Sequence, residues 1–350
     1  MLDPCVGSAS QRRTTGDAVD CKWVQGWRNF LRCPRDAEHP YAVPASAHRL
    51  AGLPPTLVLV GDTTLPGVTM EEVVDEVSAL LGELVEGTRT AAFAVADSAG
   101  AFDADAVAVA AGPGGLTGTV PRVIDAGAAD ELLVAAVGPD GLGLYAVDAG
   151  GAGVQRTPLV TLDLTRPQAN VEFSGAPARL LAGPDEAERV IGHALHVGSA
   201  LLAVEQVGAA QHLLDLSVDY AKARLQFGRQ IGSFQAIKHK LADMLVDLEH
   251  ARSTAYHAAW ALTDASDDPA LAASIAQATC SAAFSRIAAD TIQIHGGIGF
   301  MMEFDLQLWY RRIVAWSLRC GTVREHRQRV AAALLDQPGK VRLGMPLEIG

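Results

Sequence analysis

The sequence predicts an α+β chain, an antiparallel β middle region followed by an up-down four-helix bundle. From about residue 185 to 335, apolar residues recur at helical spacing through long uninterrupted stretches. Between Thr90 and Leu181, short apolar runs alternate with Gly, Pro and Asp turns. Before Pro66 the chain is rich in proline and holds Trp23, Trp27, Phe30 and Tyr41, after which aromatic residues are sparse. Three regions follow from these shifts: an irregular segment at 1–66, a short helix with a β-sandwich or barrel-like domain at 67–182, and a helical bundle domain at 183–340.

Each element has a local reason. Met70 to Glu86 reads as an amphipathic helix, with Val73, Val77, Leu80, Leu81 and Leu84 on one face. The runs Ala91–Val95, Ala106–Val109, Glu131–Val137 and Leu142–Val147 read as strands. Gly112-Pro113-Gly114-Gly115 is expected to be a turn, since no helix carrying Lys-Ser/Thr follows it as a phosphate cradle requires. Helices are expected at about 185–223, 234–264 and 268–294, with two shorter ones after Phe304 and a start signal at Pro184 or Asp185. Four antiparallel helices of that length make a bundle.

Composition narrows the function. Of 350 residues, 49% are hydrophobic and 19% charged, as in soluble globular proteins. The formal net charge of −12 disfavours nucleic acid and anionic lipid as partners. Cys5, Cys21, Cys33, Cys280 and Cys320 show no C-x-x-C spacing, which fits a reducing cytoplasm better than a disulfide framework. No uninterrupted run reaches the roughly 20 apolar residues of a membrane helix, so a soluble, unexported chain is expected.

Two segments carry the functional signal: Arg224-Leu225-Gln226-Phe227-Gly228 running on to Phe234-Gln235, and Gln293-Ile294-His295-Gly296-Gly297-Ile298-Gly299-Phe300. They resemble the flavin-contacting signatures of the acyl-CoA dehydrogenase family, R-x-x-F-G-x-x-x-x-x-F-Q and Q-x-x-G-G-x-G-F. The resemblance covers roughly 88–335 and is strongest over 198–312. Gly115–Val120 and Ala128–Val134 resemble the hairpin of that family's middle domain. The resemblance implies FAD held at a subunit interface, an acyl-CoA thioester substrate, a trans-2-enoyl-CoA product, a place in fatty acid β-oxidation, a homo- or hetero-oligomer, and an electron-transfer flavoprotein as acceptor. It implies that Arg224 meets the pyrophosphate, as its permanent charge and forked donors allow. Phe227, Gln235, Gln293, Gly296 and Gly297 match cofactor-contacting positions. Taken without the motif, Arg224 reads as a helix-end ion pair, and Lys222, Lys238 and Lys240 as solvated positions. His295 has no second histidine at ligand spacing and is expected to be a helix-end or cofactor-neighbouring residue.

The family's catalytic base is where the sequence departs. In many members a glutamate precedes Gly-Thr after the last bundle helix, and here Cys320 precedes Gly321-Thr322. In a second group the glutamate lies on the first bundle helix, at a register that falls near Gly198. Glu205, two helical turns beyond Gly198, is the carboxylate nearest to that face. It is either the base or the polar edge of an amphipathic helix. Glu325 reads as part of a solvated face with Arg324 and Arg327, and Glu303 and Asp305 match supporting acidic positions.

Other departures concern the remaining walls of the site. Ala94–Gly100 stands where the family has a Gly-Ser-Asp loop against the flavin. The family's N-terminal helical domain is expected to be missing, and residues 1–66 resemble instead a fragment of an α/β-hydrolase related to hormone-sensitive lipase. In that fragment Thr64 stands where the triad acid belongs, and Asp97-Ser98-Ala99-Gly100 lacks the first glycine of the nucleophile elbow. Two readings therefore stand: an FAD-dependent acyl-CoA dehydrogenase with Glu205 as base, or a catalytically inactive partner subunit, with a degenerate fusion product as its variant.

Overall fold

The computed structural model describes residues 80–84, 86–95, 104–262 and 268–335, all within the unit Val43–Gly350. The hydrolase-like segment with Thr64, the Asp97–Gly100 elbow, most of the Met70–Glu86 helix and the question of a missing N-terminal domain lie outside these residues. Of the Met70–Glu86 helix, Leu80–Leu84 and Glu86 are described, and they are helical with Leu80 buried.

The β region is one eight-stranded sheet. Its strands are β1 (Ala91–Ala94), β2 (Ala110–Gly112), β3 (Gly115–Ile124), β4 (Glu131–Gly138), β5 (Gly141–Asp148), β6 (Val154–Leu159), β7 (Gln168–Ala176) and β8 (Arg179–Ala182). The hydrogen-bonded path runs β6-β7-β3-β2-β4-β5-β8, with β1 paired to β4. Pro113 and Gly114 make the β2–β3 turn, and Gly112 lies opposite Gly115.

The expected antiparallel sheet is corrected to a mixed one, because β1 runs parallel to β4 from Ala91↔Glu131 to Ala94↔Val134 and β2 meets β4 in parallel at Ala110↔Val137. These two short strands divide one edge of β4 between them, a non-local pairing that no local signal announces. The run Ala106–Val109 is also corrected: Ala104–Ala106 is a 3-10 turn and the strand begins at Ala110.

Strand β4 explains the continuous apolar run Leu132–Val137. Side chains alternate across a strand, so Leu132, Val134 and Ala136 enter one core with Leu116, Val171 and Phe173. Leu133 and Ala135 enter the other, with Leu144, Ala187 and Ile191. This second core fastens the sheet to the first bundle helix.

Three long helices form the bundle: α1 (Pro184–Ala223), α2 (Gln235–Ala261) and α3 (Pro269–His295). Pro184 and Pro269 occupy first-turn positions, where a missing N–H costs nothing. The Asp268 carboxylate accepts from the Ala270 and Leu271 amides, both at 3.1 Å, and caps α3. The two shorter helices expected after Phe304 are α4 (Leu306–Trp316) and α5 (Val323–Leu335), so three long helices and two short ones stand where a bundle of four long helices was expected. Between α4 and α5, Cys320 and Gly321 take positive φ angles of 58° and 112°, which no helix tolerates.

Leu213, Leu248, Phe284, Ile287 and Trp316 are fully buried in the bundle core. Each contributes about 1.5–3 kcal/mol relative to exposure. Glu186–Ala223 is long and apolar enough, by length and composition alone, to cross a membrane. This qualifies the expectation from sequence, since an average over a window tolerates polar residues that interrupt a run. Here Ala200, Ala203, Val207, Ala210 and Leu213 of this helix are buried in the bundle core.

Candidate functional site

The two motif segments meet at one end of the bundle. Helix α1 ends at Ala223 and its cap Arg224 is extended, which turns the chain into β9 (Leu225–Gln226) and β10 (Arg229–Gln230). Gln226 lies opposite Arg229, leaving Phe227 and Gly228 as a two-residue loop with φ of 53° and 74°. Positive φ at both positions is the geometry of a type I′ hairpin turn. Glycine adopts it freely, but phenylalanine is strained there by about 1–3 kcal/mol. The strained ring is 91% exposed.

The hairpin is anchored back on α1 by the Ile231 amide, which donates to the Arg224 carbonyl at 2.9 Å. Arg229 lies over the Phe234 ring at 4.0 Å, a cation–π contact that braces the entry to α2. Close by, α3 ends at His295, and Gly296 takes φ 65° as its cap. Tyr220 joins the two segments: its ring stacks on His295 at 4.3 Å and its hydroxyl donates to the His295 carbonyl at 3.4 Å. Lys240, expected to be a solvated position, is half-exposed and pairs with Asp290.

Arg224, Phe227, Gln235, Gln293 and Gly297 are all exposed, and Gly296 is half-exposed. Nothing lies within 4 Å of a Cβ built on Gly296 or Gly297, so the backbone there is open to close approach. A guanidinium, two amides and bare backbone facing outward fit an extended polar dinucleotide shared with another surface. His295 is buried, and its Nδ1 donates to the Thr291 carbonyl at 2.8 Å, which defines the tautomer. Burial pushes its pKa down, so the ring is neutral. No group of metal-ligating side chains occurs among the described residues.

The base positions form a second locus. A Cβ on Gly198 would meet Cys320 Sγ at 3.6 Å, so the positions implied for the two kinds of family glutamate face each other, and neither carries a carboxylate. Burial pushes the Cys320 thiol up, which keeps it protonated at neutral pH. Glu325 is held locally: Thr322 N and Oγ1 donate to its carboxylate at 2.6 and 2.9 Å, and its own amide donates to Thr322 Oγ1 at 3.2 Å. This is a capping box on α5, legible in the Thr-x-x-Glu spacing though missed there. Those hydrogen bonds, first the Thr322 amide, hold Glu325 below the usual carboxylate range.

Glu205 accepts from Arg312 Nη2 at 2.6 Å. The same guanidinium donates to Thr165 Oγ1 at 2.5 Å, lies 3.9 Å from Asp163 and stacks over Trp316 at 4.7 Å. Arg312 therefore ties α1 and α4 to the β6–β7 loop. Nothing in the sequence marked this partner, 107 residues from Glu205. Elsewhere, an open polar depression lined by Arg89, Asp130, Asp148 and Arg156 already has its cations satisfied, Arg89 by Glu131 and Arg156 by the Ala126 and Ala129 carbonyls.

Comparison with known proteins gives this geometry a family. The model of the acyl-CoA dehydrogenase C-terminal domain matches residues 188–335. The acyl-CoA dehydrogenase IpdE2 of Mycolicibacterium smegmatis is 39% identical over 175 residues, 50% of this chain and 51% of that protein. The 3-(aryl)acrylate reductase of Clostridium sporogenes is 30% identical over 273 residues, 73% of this chain and 71% of the reductase. Butyryl-CoA dehydrogenase from Megasphaera elsdenii shares the fold, with a TM-score of 0.68 at 24% identity over 76% of this chain and 75% of that one. The chain spans about half the length of the IpdE2 relatives it matches. With a family domain model on its bundle and a relative matched over most of its length, the chain belongs to the acyl-CoA dehydrogenase family.

Proposed function

We propose that this chain is a subunit of an FAD-dependent oxidoreductase that acts on acyl-CoA thioesters, removing hydrogen across the Cα–Cβ bond to give a trans-2-enoyl-CoA. The observation that carries the reading is the convergence of the two motif segments at Tyr220 and His295, with their polar groups facing outward. Arg224 would meet the pyrophosphate, Phe227, Gln235 and Gln293 would contact the rest of the cofactor, and Gly296 and Gly297 would let it lie against the backbone. Bound FAD supplies hydride acceptance. Exposed Leu225, Phe227, Phe300, Met301 and Met302 support an oligomer, since apolar surface of this kind is normally covered. An electron-transfer flavoprotein is the proposed acceptor and the cytoplasm the proposed location.

Glu205 is the proposed acceptor of the proton beside the thioester carbonyl. Its carboxylate is bonded to Arg312, so in this role it leaves that partner as substrate enters. A second reading is favoured by the same contact, together with the apposed Gly198 and Cys320. In that reading the chain is a non-catalytic partner that completes a flavin site for a related subunit possessing the base.

Flavin colour separates the readings. The chain is purified alone and with a co-encoded homologue, and the bound flavin is titrated with saturated acyl-CoA. Bleaching that Glu205→Gln abolishes, with FAD still bound, supports the first reading. Bound flavin that bleaches only with the homologue present supports the second. A preparation that takes up no FAD in either state removes both.

A further inference from the structure

Two guanidinium groups, Arg166 and Arg319, converge beside the turn at Cys320, and among the described residues only Arg166 is paired with a carboxylate. Gly198 and Glu205 share a face of α1, about 10 Å apart along its axis. Opposite them run α4 and the turn after it, with Arg312 bonded to Glu205 and Cys320 against Gly198. Arg312 stacks on Trp316 one turn later, and Arg319 follows as the helical turn continues through the bond from its amide to the Trp316 carbonyl. Arg319 thus returns toward the face that Arg312 occupies. Arg312 also bonds Thr165, which carries its neighbour Arg166 to the same seam.

The charges along this seam are unevenly matched. Arg312 takes both Glu205 and Asp163. Arg166 uses one terminal nitrogen on Asp125 at 2.8 Å, and its Nε is shielded and unpartnered. Among the described residues no carboxylate lies within ion-pair distance of Arg319. Burial and then the Arg319 guanidinium push Arg166 below its ordinary range, ahead of the opposing pull of Asp125. The turn that holds Arg319 is also the one where Cys320 stands in place of a glutamate.

We propose that Arg319 and Arg166 form a carboxylate-binding subsite, so that the thioester this chain takes carries a free carboxylate on its acyl portion. The proposal rests on the acyl-CoA reading above and narrows its substrate class. A guanidinium presents parallel N–H groups to both oxygens of a carboxylate. The Arg166 Nε supplies a donor with no competing partner, and Arg319 a cation with none. A neutral acyl tail entering the same seam would leave both unmatched at a desolvation cost.

The test is a binding titration on the full FAD-loaded chain with two matched pairs, pentanoyl-CoA against glutaryl-CoA and octanoyl-CoA against suberyl-CoA. At least one dicarboxylic thioester is expected to bind about tenfold or more tightly than its neutral counterpart, the scale of one charge-assisted contact. Arg319→Gln and Arg166→Gln should each erase most of that preference by weakening the dicarboxylic thioester, with the neutral thioesters binding as well as before or more tightly. Arg319→Lys should keep part of it, and Arg311→Gln, on another face of α4, all of it. Equal affinities within both pairs, or a preference that survives both glutamine variants, would overturn the subsite while leaving the acyl-CoA reading intact. Failure to bind any of the four thioesters would overturn that reading and the subsite with it. A preference erased by a co-purifying homologue would assign the subsite to a carboxylate of that partner protein and overturn the substrate proposal.

Discussion

Tyr220 stacks on His295 with ring centroids 4.3 Å apart and 25° between the planes, joining the end of α1 to the end of α3. No other described contact links the two motif segments as directly, and the His295 ring is also tilted against Phe304 at 5.8 Å. Aromatic pairs of this kind are worth about 0.5–1.5 kcal/mol beyond area burial. Tyr220→Leu should therefore lower stability by about 1–2 kcal/mol, read by urea unfolding. Its larger effect should be on bound flavin, whose stoichiometry should fall while helix content is unchanged. A variant with full flavin content would show that the junction does not organise the cofactor residues.

Phe227 and Gly228 are both left-handed, and only the glycine suits that backbone without strain. Gly228→Ala should cost about 1–2 kcal/mol in the hairpin, although nothing lies within 4 Å of the added Cβ. Phe227→Gly should stabilise the isolated chain slightly by relieving the backbone. If the ring serves a cofactor or partner, the same change should weaken flavin retention or assembly. Sedimentation and flavin absorbance of the two variants distinguish strain held for a purpose from incidental strain.

Much of this arrangement was legible because its causes are local. Helix α1 runs Pro184–Ala223 where 185–223 was expected, since a proline start and a glycine-rich exit lie in the sequence itself. The parallel pairing of β1 and β2 with β4 was not legible, because register between distant strands leaves no signature in either one. The two shorter helices after Phe304 were legible too, but the break between them at Cys320 was not, because a left-handed φ is unusual for a non-glycine residue and leaves no local signal. At the site, the residue types of the flavin motifs could be read directly. The partner of Glu205 could not, because an arginine on another helix becomes a clamp only after folding.

Arg312 is that clamp, and its removal should be costly out of proportion to its exposure. Arg312→Leu would leave Glu205 without its cation and Asp163 with only its Thr165 bonds. Leaving a partly buried carboxylate unpaired costs roughly 2–4 kcal/mol. The double change Arg312→Leu with Glu205→Leu should recover part of the loss, because Asp163 alone then lacks its cation and it keeps its Thr165 bonds. Equal destabilisation in the single and double variants would show that Arg312 acts through Trp316 stacking and Thr165 instead.

His326 should make the protein sensitive to acid. It is 1% exposed with Nε2 unpartnered, and burial followed by the nearby Arg329 charge pushes its pKa down to about 4. Above pH 6.5 the ring is neutral both folded and unfolded, so the shift carries no penalty. As pH falls from about 6.5 to 4 the unfolded chain binds the proton and the folded chain does not, and stability falls by about 3 kcal/mol in that window. His196, His212 and His295 are depressed in the same direction by burial and steepen the trend. His326→Gln should flatten the decline between pH 7 and 4.5 in urea unfolding. An unchanged slope would assign the acid sensitivity to the other histidines.

The apposition of Gly198 and Cys320 permits the sharpest test of where proton abstraction belongs. Gly198 sits inside α1, and its added Cβ would meet Cys320 Sγ at 3.6 Å, ordinary van der Waals contact. Gly198→Ala should therefore be tolerated and stabilise by up to about 1 kcal/mol through helix propensity. Cys320→Glu asks a chemical question at the same spot, since burial keeps the natural thiol protonated and a carboxylate there would be a competent base. If the chain lacks a base of its own, this substitution should speed flavin bleaching by saturated acyl-CoA by about a hundredfold or more, the usual scale of general-base catalysis. Arg319 beside the new carboxylate would hold it ionised and should, by the same contact, weaken selection for dicarboxylic thioesters. If Glu205 already serves as base, Cys320→Glu should bring no gain, whereas Glu205→Gln should abolish bleaching in the otherwise unaltered chain.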